Sequence, residues 1–518
     1  MGGTRGAVAA GHQITAEAAA EILKEGGNAF DAALAALFAS CVAEPVLASL
    51  GGGGFLLARS AQGTPILYDF FTQTPRRKKP LGEVDFFPIV ADFGAAQQEF
   101  HIGIGSIATP GLVRGIFQIH RDLCRLPLST IIQPACDAAR NGVAINELQY
   151  YISDVISPII KSSQGALSLH AEQGAPGSIA GPGKIVHHRE MADTFEQLAK
   201  EGDALFYLGD IGQTLVRVCG ERGGYLCRED LEAYTVEKRL PLELGYHGYH
   251  LFANPPPSVG GTLIAFSLAL LETEDLKGFA PGDYEHLIRI AQAQKLTQQL
   301  RHEYGVDQNL APATSHEILG EKYINSYRAT MRNHLEFPRG TTQISIVDSE
   351  GNMASMTVSN GEGSGYVIPG TGIMMNNMLG EEDINPHGFH QWPTDRRIAS
   401  MMSPTLVLSD DGLAIATGSG GSNRIRSAVL QVLVNLLDFG LDMREAVEQP
   451  RIHFETELLN LESGLSQTTI EQLIKAFPEH KLWPGKNLFF GGAHTVMFSH
   501  DGLKGKGDSR RGGVCISV

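Results

Sequence analysis

The stretch that most restricts this chain begins at Asn28-Ala29-Phe30-Asp31-Ala32-Ala33-Leu34 and runs on to Ala43. Asn28 supplies an N-cap, and the helix that follows is apolar on nearly every face, so it belongs in a buried position. Asp31 and the following Glu44-Pro45 interrupt it, and it is too short to span a bilayer. A first helix, Thr15 to Lys24, precedes it and stops at Gly26-Gly27. The run Gly51-Gly52-Gly53-Gly54 follows, then two strand patterns, Phe55 to Arg59 and Ile66 to Phe71, joined by the turn Gln62-Gly63. Clustered glycines mark tight turns and close approaches of backbone.

From Leu112 to Tyr327 the pattern predicts mainly helices joined by polar loops, Leu112 to Leu123 among them. The loop Pro255-Pro256-Pro257-Ser258-Val259-Gly260-Gly261 breaks this region before the apolar helix Thr262 to Leu271. Beyond residue 341 strands dominate. Gln343 to Asp348 and Met353 to Val358 flank the turn Ser349-Glu350-Gly351-Asn352, and Ser403 to Leu408 pairs with Leu413 to Thr417. The helix Ile425 to Phe439 comes next. Hairpins and buried helices in both halves predict one layered unit of helices and sheets rather than separate domains.

Several functions are disfavoured by composition. A formal charge of −16 over 518 residues argues against non-specific nucleic-acid binding. Six scattered cysteines without a Cys-x-x-Cys pair argue against a disulfide framework or zinc site. The N-terminus shows no apolar signal region, so a cytoplasmic location is expected, with export left open. His387 and His390 have helix-like spacing, but Pro386 and Gly388 place them in a loop, where no metal is expected. Phe389 and Trp392 read as a lid or packing patch.

Gly340-Thr341-Thr342-Gln343-Ile344-Ser345 sets a glycine and a hydroxyl residue directly before a buried strand, two-thirds of the way along the chain. That arrangement suits a protein that cuts itself at Gly340-Thr341 and uses the new terminal threonine as a catalyst. The hydroxyl is then the nucleophile, and the freed α-amine, titrating near pH ~7.7–8, is its base. A Thr-Thr pair chosen for β propensity is the alternative at this level.

Other segments fall in an order that resembles the gamma-glutamyltransferase family. They are Glu25 to Ala33, Gly51 to Phe55, Thr109-Pro110-Gly111, the loop 255–261, the Thr341 hairpin with Asp348 and Gly351-Asn352, Asn376-Asn377, Ser403-Pro404-Thr405, Gly418 to Gly421, and the tail Gly507 to Gly512. The resemblance covers essentially the whole chain. It implies an α+β fold, the four-layer αββα sandwich of N-terminal-nucleophile hydrolases with two stacked antiparallel sheets. It also implies self-cleavage into a large segment 1–340 and a small segment 341–518, intertwined as a heterodimer, with further oligomerisation open. The expected substrate is a small γ-glutamyl or other N-acyl amide, with water or an amine as acceptor. No cofactor, nucleic acid or membrane is needed.

Site roles follow from the same resemblance. Thr341 is the nucleophile, Ser359 the hydroxyl that assists it, and Gly420 and Gly421 the oxyanion donors. Asn360 is the nearest counterpart of a substrate-binding asparagine, and Ser400 of a serine pair whose second member is Met401 here. Glu381, with Glu382 and Asp383 as rivals, would hold an α-ammonium. The family's carboxylate-binding arginine aligns with Phe71, and an apolar ring cannot replace a guanidinium that forks onto a carboxylate. Arg76 and Arg77 follow closely and are the candidate substitutes. An acylase acting on another amide and a silent, uncut homologue are the alternatives.

Overall fold

The computed structural model describes residues 4–92, 97–172, 174–303, 305–306, 315, 317–328, 341–385 and 387–518, so Gly340 and Pro386 lie outside the described residues. The chain opens with strand β1 (Gly6–Ala10), helices α1 (Gln13–Lys24) and α2 (Ala29–Ala43), and the hairpin β2 (Gly53–Arg59) and β3 (Ile66–Asp69). Further helices within residues 112–233 lead to β4 (Glu237–Arg239), β5 (Leu242–Tyr246) and β6 (Tyr249–Ala253). Helices α3 (Gly260–Leu271) and α4 (Tyr284–Glu303) follow. After residue 341 come β7 (Thr342–Asp348), β8 (Met353–Ser359), β9 (Thr405–Leu408), β10 (Ala414–Thr417), α5 (Arg424–Leu437), β11 (Thr495–Ser499), β12 (Gly502–Lys506) and β13 (Val514–Ser517).

One sheet has seven strands in the order β13-β1-β7-β8-β2-β3-β4, and the other has six in the order β12-β11-β10-β9-β6-β5. Neighbouring strands in both run antiparallel. Both sheets draw strands from either side of residue 341. The middle region, read from sequence as mainly helical, supplies β4 to one sheet and β5-β6 to the other. β4 is only three residues long with none buried, and β5 and β6 alternate over just five residues each, a signal too brief to stand out among helices.

Layering follows from strand alternation. On the seven-stranded sheet, Val8, Leu56, Ile344, Ile346, Ala354 and Met356 face α1 and α2. Ala7, Phe55, Leu57, Val347 and Met353 face the second sheet, whose outer side carries α3, α4 and α5. All fifteen residues of α2 are buried. Its single charge, Asp31, accepts backbone N–H groups from Asn28 at 2.8 Å and from Arg125 and Leu126 at 3.0 Å. A carboxylate at a helix N-terminus with such partners is tolerable in a core. Asp348 joins the same helix to the hairpin turn, accepting from Ala29 N at 2.9 Å and from the Asn352 side chain at 2.7 Å.

Between the sheets, near residue 341, the filling is polar. Gln343 donates to Ser345 Oγ and Ser355 Oγ at 3.0 Å, Thr357 donates to Gln343 at 2.5 Å, and Ser345 donates to the His494 carbonyl at 2.8 Å. Each polar atom named here is paired, which keeps such a layer from destabilising the core. The network ties β7 and β8 to one another and to the second sheet, and so fixes the strand end where Thr341 sits.

Candidate active site

Strand register builds the site. Thr342 lies opposite Val358, Ser359 opposite Gly53, and Phe55 opposite Asp69. Continuing those pairings lines up Thr341, Ser359, Gly53 and Phe71 in one row across four strands, on the face turned to the second sheet. Glycine is required in this row, because a Cβ at Gly53 would come within 2.9 Å of Phe71 Cα. Gly52 is held as tightly: its carbonyl accepts the N–H groups of Gly111 at 3.0 Å and Leu112 at 3.1 Å.

Thr341 and Ser359 are both buried, at 4% and 6% exposure. Ser359 Oγ accepts the Gly361 N–H at 3.1 Å, which orients the hydroxyl. Ser419 and Gly420 pair with Ala493 and Gly492, and the glycine loop lies against Thr341. A Cβ at Gly420 would sit 2.0 Å from the Thr341 carbonyl oxygen, so no other residue fits there without moving backbone. Gly421 has φ +121, in the region that favours glycine. Both glycines precede the N-terminus of α5, where backbone N–H groups can face an anion.

A cavity of about 30 Å³ opens at the row, and Thr341, Ser359, Phe71, Glu381, Asp383 and Ser400 are among its walls. Glu381 is buried, with Oε1 against Gly361, where a Cβ would approach it to 2.1 Å. Its neighbour Glu382 is exposed and does not line the cavity, so the acidic cluster resolves in favour of Glu381 with Asp383. Asp383 accepts a hydrogen bond from Ser422 Oγ. Asn377 Oδ1 accepts from Glu362 N at 2.9 Å and Gly363 N at 3.2 Å, holding this loop beside Ser359.

Ser400 stands in a loop clamped by the triple-proline run. Ser258 donates to the Ser400 carbonyl at 2.7 Å, Asn254 Nδ2 donates to the Met402 carbonyl at 2.9 Å, and Ser400 Oγ accepts from Met402 N at 3.0 Å. Met401 lines the cavity where a second hydroxyl was expected to be lost. Asn360 is buried next to Ser359 but is not a wall of this cavity. Neither its Oδ1 nor its Nδ2 meets a hydrogen-bond partner among the described residues. Such burial without a partner costs about 1–3 kcal/mol, which a bound polar group can offset.

Arg76 and Arg77 are not brought to the site. Arg76 pairs with Asp395 at 3.2 Å and Arg77 with Glu229 at 3.3 Å, both near the surface. The substitution expected of them fails because the chain after β3 turns outward along residues 390–397. Phe71 packs on Phe55 with ring centroids 5.4 Å apart and fills its own position. Arg397 approaches Phe71 from the protein side, donating to the Phe71 carbonyl at 2.5 Å and the Thr235 carbonyl at 2.7 Å, and pairs with Asp69 at 3.3 Å. It is not a wall of the cavity. His390 bonds Tyr225 at 2.8 Å, Trp392 packs on Tyr225 at 5.2 Å and Phe389 on Phe86 at 5.4 Å, a packing patch.

A second cavity, of about 40 Å³, shares Thr341 as a wall and is lined by Glu44, His12, His170, His494, Gly420 and Arg511 among others. Glu44 accepts from Thr15 Oγ1 at 2.9 Å and Thr342 Oγ1 at 3.0 Å, and burial pushes its carboxyl above the usual range. Arg511 donates to the Thr341 carbonyl at 3.1 Å, and burial lowers its pKa to about 10. Glu44, Ser422 and Arg511 went unassigned in the sequence reading. Their only signals were a place after α2, a place after the glycine run, and a place in the tail motif.

The gamma-glutamyltranspeptidase family pattern matches residues 15–518. The acylase ACY 1 proenzyme of Pseudomonas sp. (strain V22) is 29% identical over 536 residues, spanning 100% of this chain and 94% of its own length. The glutathione hydrolase proenzyme of Escherichia coli (strain K12) is also 29% identical, spanning 98% of this chain and 90% of its own. Among solved structures, cephalosporin acylase from Bacillus halodurans superposes with a TM-score of 0.85 at 22% identity, covering 99% of this chain and 96% of its own, and so shares the fold. With a strand-end threonine, a glycine loop against it and the family pattern over nearly the whole length, the chain belongs to the gamma-glutamyltranspeptidase family.

Proposed function

We propose that this chain is a self-processing acyltransferase and amidohydrolase acting on γ-glutamyl amides, glutathione-type amides among them. The observation that carries the reading is the shared position of Thr341: it ends a strand row beside Ser359, touches Gly420, and walls a cavity that also holds Glu381. In processing, Thr341 Oγ1 attacks the Gly340 carbonyl, the C–N bond breaks as the hydroxyl proton passes to the Thr341 nitrogen and frees the amine, and water then hydrolyses the resulting ester to release the Gly340 carboxylate and the Thr341 hydroxyl. In turnover, that amine takes the hydroxyl proton as Oγ1 attacks the substrate carbonyl. Backbone N–H groups at Gly420 and Gly421 face the oxyanion, a contribution of about 2.7–4 kcal/mol per donor. The proton passes to the leaving amine, and the acyl-threonine is resolved by water or by an acceptor amine. Glu381 and Asp383 attract the ammonium of the acyl group, Ser400 lines its path, and Asn360 offers an amide next to Ser359.

A second reading, an acylase on amides whose acyl group lacks the α-carboxylate, is favoured by one observation. The cavity presents Phe71 at the expected guanidinium position, and no Lys or Arg stands among its described walls. The curated relatives divide the same way, one named glutathione hydrolase and one named acylase.

Two measurements test these readings. Mass spectrometry of purified protein should find fragments meeting at Gly340-Thr341; protein that folds but stays whole sinks both. On cut protein, a γ-glutamyl anilide is then compared with its des-carboxy analogue. Strong preference for the carboxylate selects the first reading, and near-equal rates select the second.

A further inference from the structure

We propose that Arg511 is the positioning residue of the nucleophile: it holds the Thr341 carbonyl and disfavours protonation of the Thr341 amine once the chain is cut. The inference rests on Thr341 being the catalytic N-terminus. Cutting before residue 341 removes the covalent tether on one side, and regular strand pairing starts only at Thr342. Contacts among the described residues then help locate residue 341. Arg511 Nη1 donates to its carbonyl at 3.1 Å, Gly420 lies against the same oxygen, and Thr342 Oγ1 is anchored on Glu44 at 3.0 Å. The guanidinium is itself held, because its stem crosses Gly492, where a Cβ would meet Arg511 Cδ at 2.5 Å, and Nη2 donates to the Leu488 carbonyl at 3.4 Å.

Charge supports the second half of the proposal. Arg511 is the one Lys or Arg among the described walls of the two cavities that meet at Thr341. The histidines there, His12, His170 and His494, all have pKa values pushed down by burial, so they are neutral near pH 7. Glu44 has its pKa raised by burial. Asp508 behind Arg511 is paired with Arg451 at 2.7 Å and Arg510 at 3.2 Å, and Glu362 also acts on Arg511. On the acyl side, Glu381 and Asp383 favour a protonated amine. A fixed cation disfavours an ammonium beside it, so Arg511 opposes the acids and keeps the base unprotonated. Removing the cation therefore raises the amine pKa and moves the acid limb of activity to higher pH.

The test uses full-length Arg511→Met and Arg511→Lys, with cleavage followed by mass spectrometry and kinetics measured on the cut fraction. For Arg511→Met, kcat should fall about 10- to 100-fold with KM within about 2-fold. Its acid limb in kcat/KM should rise by about 1 pH unit. Arg511→Lys keeps the charge but loses the fork, so its acid limb should stay in place while kcat falls about 3- to 10-fold. Wild-type kcat and an unmoved acid limb in Arg511→Met overturn the proposal, as does a loss confined to KM. Should the methionine variant fail to fold or cut, a lysine variant with full kcat, or with a shifted limb, overturns it instead. Wild-type protein that is never cut before Thr341 defeats the parent reading; cut, active wild-type protein matched by Arg511→Met defeats only this one.

Discussion

The two ends of the strand row differ in kind. The Thr341–Ser359 end carries the contacts the proposed acyl transfer calls for: a hydroxyl oriented by Gly361, a glycine loop against the carbonyl, and a guanidinium behind it. At the Phe71 end the row closes on Phe55, with Arg397 occupied by Asp69 and two backbone carbonyls. Under the proposed function, chemistry and recognition thus sit on separate strands. The catalytic half is fixed by backbone register and close glycine contacts, which tolerate little change. The recognition half is a side chain pointing into a cavity, which one substitution alters while the fold persists. Under the proposed function, that separation lets one framework carry either specificity, and the relatives it resembles are named both glutathione hydrolase and acylase.

Breaking the catalytic end should have the largest effect. Thr341→Ala should remain a single chain on denaturing gels and lose activity by about 10⁴-fold or more, since neither nucleophile nor terminal amine forms. Activity retained by that variant would place the chemistry elsewhere. Next comes Gly420→Val, whose Cβ meets the Thr341 carbonyl oxygen at 2.0 Å. Turnover should drop about 10²- to 10³-fold while the melting temperature changes far less, as expected for misplacing an oxyanion donor. Normal turnover in a folded variant would remove this loop from the site.

Restoring a guanidinium sharpens the recognition end. Phe71→Arg should raise the preference for a γ-glutamyl anilide over its des-carboxy analogue by about 30-fold or more, the scale of a desolvated charge-assisted pair. It should also lower the melting temperature, because a buried cation would face Arg397. An unchanged preference would show that the carboxylate is read elsewhere. The smallest effect belongs to Arg76→Ala and Arg77→Ala, whose partners are the surface acids Asp395 and Glu229. Rates on both substrates should stay within about 2-fold, and a larger, carboxylate-specific loss would bring that loop back into the recognition half.

Much of this was legible in order along the chain. The Asn28 cap, the buried α2, the β2–β3 and β7–β8 hairpins and the Gly420 loop are local patterns, each set by a few consecutive residues. The strands at 237–253 were not, because short half-exposed strands carry little periodicity of their own. Glu381 could be named from its place after Asn376-Asn377, but choosing it over Glu382 needed the cavity wall.

By itself, the sequence singled out Thr341 as the proposed nucleophile, the glycine loop beside it, and an apolar Phe71 where the family resemblance implies a guanidinium, since residue type and family order suffice to name those. Only the tertiary structure decided that Arg76 and Arg77 turn away, that Arg397 is already occupied, and that Glu44 and Arg511 close on Thr341 and Thr342. Those contacts join residues 170 and 298 positions apart, as Arg511 with Thr341 and Glu44 with Thr342 do. Charges carry no local periodicity that reveals their partners; the pairing is set where β7, the end of α2 and the C-terminal tail meet, and burial there makes an unpaired charge too costly to leave.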